Sequence, residues 1–273
     1  MPTASGPCRY GQYSVFLNDL ITRLKLTDVA LYSLSAENGY ADLDGQNITA
    51  RLWAGAVVAD IFEEMHSLVL TNAVDRESAL KIFESAWRKV ITCFENPSNF
   101  KKMTEDFTSA AEILKGIEVK RTAKETPVVL LTGEIYVRHD DISRQFLTEE
   151  LAQKGFAVKV STLAEWVYYT GWCVKKRLST GYYSRKDRVI LFLRTLYMKR
   201  HEKRIREIFS KTGLCLNKLE DVEHIINHTR HLISPQLVGE AILTTGAAIN
   251  EVLDHYCGAI AIGPFGCMPN RLS

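Results

Sequence analysis

Val128-Val129-Leu130-Leu131-Thr132-Gly133 is an unbroken apolar run with Pro127 before it and a glycine at its end. A strand with one solvated face alternates apolar and polar residues. This run turns apolar side chains to both faces, as a strand buried within a parallel sheet does. Ser143 to Lys154, closed by Gly155, reads as a helix, and Phe156-Ala157-Val158-Lys159-Val160 as the next strand. Strand, helix and strand in that order make a βαβ unit, for which a right-handed crossover is expected. A third strand is read near the C-terminus, where Ala259-Ile260-Ala261-Ile262-Gly263 should be buried and should lead into Pro264-Phe265-Gly266-Cys267-Met268-Pro269. The expected fold is α/β, with Rossmann-like parallel-sheet domains and a helical insertion.

Upstream of this unit, Lys120-Arg121-Thr122-Ala123-Lys124-Glu125-Thr126-Pro127 is polar and ends in proline, as linkers do. It divides an N-terminal α/β and helical domain (1–124) from a C-terminal Rossmann-like domain (125–273). In the first domain apolar residues at three- and four-residue steps predict helices over 10–24, 48–70, 76–94 and 104–117, and Asp28-Val29-Ala30-Leu31-Tyr32-Ser33-Leu34 reads as a short buried strand. In the second, helices are expected at 185–211, 219–232 and 237–256.

The chain has 273 residues, of which 46% are hydrophobic and 24% charged, with a net charge of +2. That is globular composition, and the charge balance does not call for nucleic acid. The N-terminal residues Met1-Pro2-Thr3-Ala4-Ser5-Gly6-Pro7 lack a basic segment and an apolar core, and no apolar run approaches the roughly 20 residues that cross a bilayer. No membrane contact and a cytoplasmic location are expected. Six widely spaced cysteines without a Cys-x-x-Cys pair suit reduced thiols or metal ligands better than a disulfide framework.

Two cysteines stand out. Cys8 in Gly6-Pro7-Cys8-Arg9-Tyr10-Gly11 lies at or just before a helix N-terminus, where free N–H groups and Arg9 favour the thiolate; a small residue in a tight turn is the plainer reading. Cys267 follows the last strand, at the carboxyl edge where ligands gather in open α/β sheets. Gly133-Glu134-Ile135-Tyr136-Val137-Arg138 emerges at that same edge, so Glu134 and Arg138 are candidates to orient a substrate carbonyl, or else to pair with each other. The chain carries neither a GxGxxG fingerprint nor a Walker A loop, which disfavours nucleotide binding.

Gly6 to Tyr13, Ser35-Ala36-Glu37-Asn38-Gly39-Tyr40, Gly133 to Arg138, Glu165-Trp166-Val167-Tyr168-Tyr169, Gly239-Glu240-Ala241-Ile242-Leu243 and Gly263 to Pro269 form an ordered set of motifs spanning almost the whole chain. In this set the chain resembles the activase-related relatives of the 2-hydroxyacyl-CoA dehydratases, including the dehydratase D-component and double-cubane iron–sulfur proteins. The resemblance implies an iron–sulfur cluster, of [4Fe-4S] or double-cubane type, with Cys8 and Cys267 as ligands. It also implies a partner ATPase of the sugar-kinase/Hsp70/actin type, and low-potential electron transfer or dehydration of an acyl-CoA substrate. Longer relatives carry cysteine motifs before the first of these segments and a helix after the last, so the chain is expected to be incomplete at both ends and to work as a homodimer or heteromer. A cluster-free module that binds an activase or a paralogue is the alternative.

The other cysteines read differently. Cys93, Cys173 and Cys215 lie in apolar settings and should be buried thiols. Cys257 is one strand length from Cys267, so the two should lie at opposite ends of that strand. His224, His228 and His231 share a helix face at a spacing that permits a metal, but no acidic or cysteine companion is fixed by spacing and a solvated stripe is expected. The segment 185–211 reads as an amphipathic helix with its basic face in water, although a phosphate or CoA contact there is conceivable.

Overall fold

A computed structural model describes residues 13–31, 46–96, 99–178, 184–253 and 256–272. In order, the elements are α1 (Tyr13–Arg23), α2 (Gln46–Asn72), α3 (Arg76–Glu95), α4 (Phe100–Leu114), β1 (Val128–Gly133), α5 (Ile135–His139), α6 (Leu147–Gln153), β2 (Ala157–Val160), α7 (Leu163–Lys175), α8 (Arg185–Phe209), α9 (Val222–Thr229), α10 (Ala241–Leu253), β3 (Gly258–Ile262) and α11 (Met268–Leu272). The three strands form one parallel sheet in the order β2-β1-β3. Val129 pairs with Val158 on one side and with Gly258 on the other. The fold is α/β and mostly helical.

The central position of β1 follows from its sequence, since Val129 to Gly133 are all buried and a strand between two others needs apolar residues on both faces. One face meets α6, where Leu131, Val158 and Val160 pack with Leu147, Leu151, Ile260 and Ile262. On the other, Leu130 and Ala157 join the main core with residues of α2, α7, α8, α9 and α10. Helix α2 is apolar on most of its circumference, and Val57, Val58, Ile61 and Met65 are fully buried. It also seals the outer edge of β2: the Val158 N–H donates to Ser67 Oγ at 2.6 Å, and Thr71 Oγ1 donates to the Phe156 carbonyl at 3.2 Å. That edge is thereby closed to further strand pairing.

Several helix starts carry side-chain caps. Asp75, Asn99, Thr162 and Asp221 accept from the first turns of α3, α4, α7 and α9, and Ser184 with Asp187 forms a capping box on α8.

Several expectations are corrected. The helix read from Ser143 starts only at Leu147, because Gln145 and Phe146 adopt left-handed φ of 55° and 54° and break the turn. The buried strand read at 28–34 is not a strand over 28–31, and Val29 is 50% exposed; positions 32–34 lie outside the described residues. β3 is only half-buried, since Ala259 and Ala261 are exposed on an edge strand with no neighbour beyond it among the described residues. Helix α7 was not read from the sequence at all.

Candidate functional site

β1 ends at Gly133 with φ 111°, and a Cβ there would overlap the carbonyl oxygen of Ile262. Only glycine fits where two strands approach so closely in a left-handed conformation. The same carbonyl accepts from the Glu134 N–H at 2.9 Å. Glu134 then caps α5 through the Val137 N–H at 2.8 Å. Arg138, one turn on, folds back beneath the edge, is 3% exposed, and donates from Nη1 to the Gly133 carbonyl at 2.8 Å. Glu134 and Arg138 thus do not pair with each other: no ion pair joins them, because each is engaged by backbone of the β1–α5 turn.

β2 delivers its own polar groups to this edge. Thr162 caps α7 through the Glu165 N–H at 3.1 Å, and Asp60 of α2 accepts from the Leu163 and Ala164 N–H groups at 3.0 and 3.2 Å. Burial pushes the Asp60 carboxyl up to about 6 in spite of those hydrogen bonds. Glu165 is 2% exposed, and burial pushes its carboxyl up to about 8, against the pull of Arg138. Glu240, just before α10, is raised to about 7 by burial; Arg138 opposes the shift and Glu134 adds to it.

The segment after β3 closes the cluster. Gly263 lies so near α11 that a Cβ would meet Asn270 Oδ1 at 2.5 Å and Glu134 Cβ at 3.3 Å. Gly239, at φ 114°, donates its N–H to Tyr169 Oη at 3.1 Å and leaves no room for a Cβ beside Met268 Cε. Cys267 is half-buried at the start of α11, its N–H bonded to the Pro264 carbonyl at 3.0 Å. Phe265, beside it, stands fully in solvent. Around this edge Thr132 Oγ1, Arg138 Nε, Ser161 Oγ, Thr244 Oγ1 and Asn270 Oδ1 are buried without a hydrogen-bond partner among the described residues. One buried guanidinium, one carboxyl that keeps its proton at pH 7 and another that titrates there are the means to bind a carbonyl or carboxylate and to move a proton.

The cysteines separate as follows. Cys93, Cys173 and Cys215 are buried, and burial raises the Cys173 thiol to about 11. Cys257 is exposed before β3 and Cys267 follows it, at opposite ends of the strand. Cys8 lies outside the described residues. His224 and His228 face each other on α9 with Nε2 atoms 3.1 Å apart, on an exposed surface. Among the described residues no group of three or more His, Cys, Asp or Glu side chains is placed to hold a metal ion. Among the described residues no helix is long and apolar enough to cross a membrane.

Glu165 and Glu240 were not singled out from the sequence, although both sit in quoted motifs. The signal was a lone carboxylate inside an aromatic or apolar run, Glu165 before Trp166-Val167-Tyr168-Tyr169 and Glu240 before Ala241-Ile242-Leu243. Comparison of the chain with protein-family models, curated proteins and solved structures finds no match.

Proposed function

We propose that this chain is the iron–sulfur component of a system resembling the 2-hydroxyacyl-CoA dehydratases, built on Rossmann-like α/β architecture and working with an ATP-dependent activase. One observation supports the reading: four segments far apart in sequence, 133–138, 165–169, 239–243 and 263–269, meet at the carboxyl edge of the sheet, and one of them presents Cys267. Cys8 and Cys267 would hold the cluster, with the remaining ligands coming from outside the described residues. When bound, the cluster supplies low-potential electron transfer.

The chain's own groups would serve an acyl-CoA substrate. Arg138, held by the Gly133 carbonyl, faces the two raised carboxyls and would orient the thioester carbonyl. Glu165 keeps its proton at pH 7 and would donate it to a departing oxygen, while Glu240, titrating near neutrality, would accept one. Glu134 fixes the α5 turn from which Arg138 projects. A cytoplasmic location and a homodimeric or heteromeric working form belong to the same reading.

Iron and acid-labile sulfide measured after anaerobic reconstitution test it. About four irons per chain are expected, with a broad absorption near 400 nm, and Cys8→Ala and Cys267→Ala should each lose them. Full iron retention in both variants would refute the ligand assignment. The alternative, a cluster-free interaction module, is favoured by a separate observation: α1 buries no residue and half of α8 stands exposed.

A further inference from the structure

Helix α8 has two apolar faces where an ordinary surface helix has one. Met198, Ile205, Ile208 and Phe209 are buried and seat its C-terminal half on the core. Along its N-terminal half Val189, Ile190, Phe192, Leu193, Leu196 and Tyr197 are all 45 to 67% exposed. At 100° per residue these six fall within one arc of the helix, opposite Met198. About two and a half turns of contiguous apolar surface is more than the scattered hydrophobes of an ordinary monomer surface.

Charge frames the stripe at both ends. Arg185 and Lys186 precede it and are exposed, as are Arg200, Lys203 and Arg204 beyond it. The far end is concave: Phe100, Arg200, His201, Lys203, Arg204 and Glu207 line a groove of about 490 Å³. There His201 sits edge-on against Phe100, with ring centroids 3.6 Å apart.

We propose that this face of α8 is the docking site for an amphipathic helix of a partner protein, one with an apolar centre and acidic ends. Charge complementarity selects the occupant. A second copy of α8 laid antiparallel, stripe on stripe, would set Arg185 and Lys186 against Arg200 and Lys203, so like charge opposes self-pairing. A flat bilayer would cover the stripe but leave the groove empty, whereas a carboxylate at a helix end enters it between guanidinium and ammonium groups. The proposal deepens the interaction-module reading, with which it shares the exposed half of α8, and it does not require the cluster, since α8 carries none of the residues at the carboxyl edge.

The test uses the full chain and a synthetic helical peptide of about five turns, with leucines along one face and glutamates at both ends, followed by fluorescence anisotropy. Leu193→Glu with Leu196→Glu should weaken binding at least about tenfold while leaving the circular dichroism and melting temperature unchanged, because both side chains are solvent-exposed. Arg200→Glu with Lys203→Glu should weaken it by about tenfold as well, and a peptide with lysines at the matching end should restore it. No binding of the peptide, equal binding of glutamate-ended and lysine-ended forms, or indifference to both double variants overturns the proposal. It is overturned equally if phosphatidylglycerol vesicles capture the chain through the same residues and the peptide does not, or if sedimentation shows a dimer that Leu193→Glu with Leu196→Glu dissolves.

Discussion

Two of the clusters of buried charge among the described residues are assembled on opposite principles. In the first, Arg206 of α8 meets Glu202 at 3.0 Å and Glu64 of α2 at 3.8 Å, and Tyr168 of α7 donates to Glu202 at 2.6 Å. Close by, Lys159 of β2 meets Glu220 at 3.0 Å and Lys218 meets Glu251 at 3.0 Å. Although burial opposes it, Lys159 and Arg206 draw Glu220 below the usual carboxylate range. In the second cluster, at the carboxyl edge, Arg138 is engaged by backbone carbonyls, and both Glu165 and Glu240 are raised. Where every charge finds a counter-charge, the group ties elements together. Where carboxyls lack a cation at ion-pair distance, as Glu165 and Glu240 do among the described residues, the proton is held instead, which is the condition a ligand relieves.

The largest effect that would break the contrast is in the first cluster. Arg206→Met strands Glu202 and Glu64 in the interior and should lower the unfolding free energy by about 3–5 kcal/mol, measured by equilibrium denaturation. A loss under about 1 kcal/mol would mean that the cluster is wet and carries little. Next comes Gly133→Ala at the edge, where a Cβ collides with the Ile262 carbonyl in a left-handed backbone; a loss of about 3 kcal/mol is expected. An alanine tolerated there without loss would show that β1 and β3 can separate at their ends.

The pH dependence sharpens the contrast, because the clusters titrate with opposite sign. Glu165 rises from 4.5 to about 8 on folding, so the native state binds its proton more tightly than the unfolded chain does. Its contribution is full below pH 4.5 and is lost as pH rises through 8. Glu220, lowered on folding, contributes above its unfolded value and loses that contribution as pH falls. Glu165→Gln should therefore gain on the native protein by on the order of 2 kcal/mol between pH 5 and pH 9, seen as a relative rise in melting temperature. Glu220→Gln should keep a constant offset from the native protein over that range and gain on it only as pH falls below 4.5. Parallel profiles for the two variants would erase the distinction. The smallest effect is Phe265→Ser: the ring is wholly in solvent, and stability should stay within about 0.5 kcal/mol.

The sheet was legible because its strands are apolar without alternation, and Val128–Gly133, Ala157–Val160 and Gly258–Ile262 pair as their sequences suggest. Its immediate surroundings were less so. Helix α7 is written in Trp, Val and Tyr, residues that favour strands, and it becomes a helix through tertiary support from Asp60 at its N-terminus, a contact across about a hundred positions. The left-handed turn at Gln145 and Phe146 has no glycine to announce it. At the candidate site, Arg138 and Glu134 were readable as edge residues, but their partners were not, since which carboxylates come to face Arg138 depends on how α7 and α10 fold over the sheet.

The seal that α2 places on β2 has a consequence for how the chain folds. Ser67 lies 91 positions before Val158, so the hydrogen bond between them closes a long loop. On the ribosome α2 leaves first, and the cap already exists when β2 emerges to need it. In refolding from denaturant that order is lost, and β2 can form before its cover arrives, with its raw edge open to other chains. The yield of native protein should accordingly depend more on chain concentration in the tube than during synthesis.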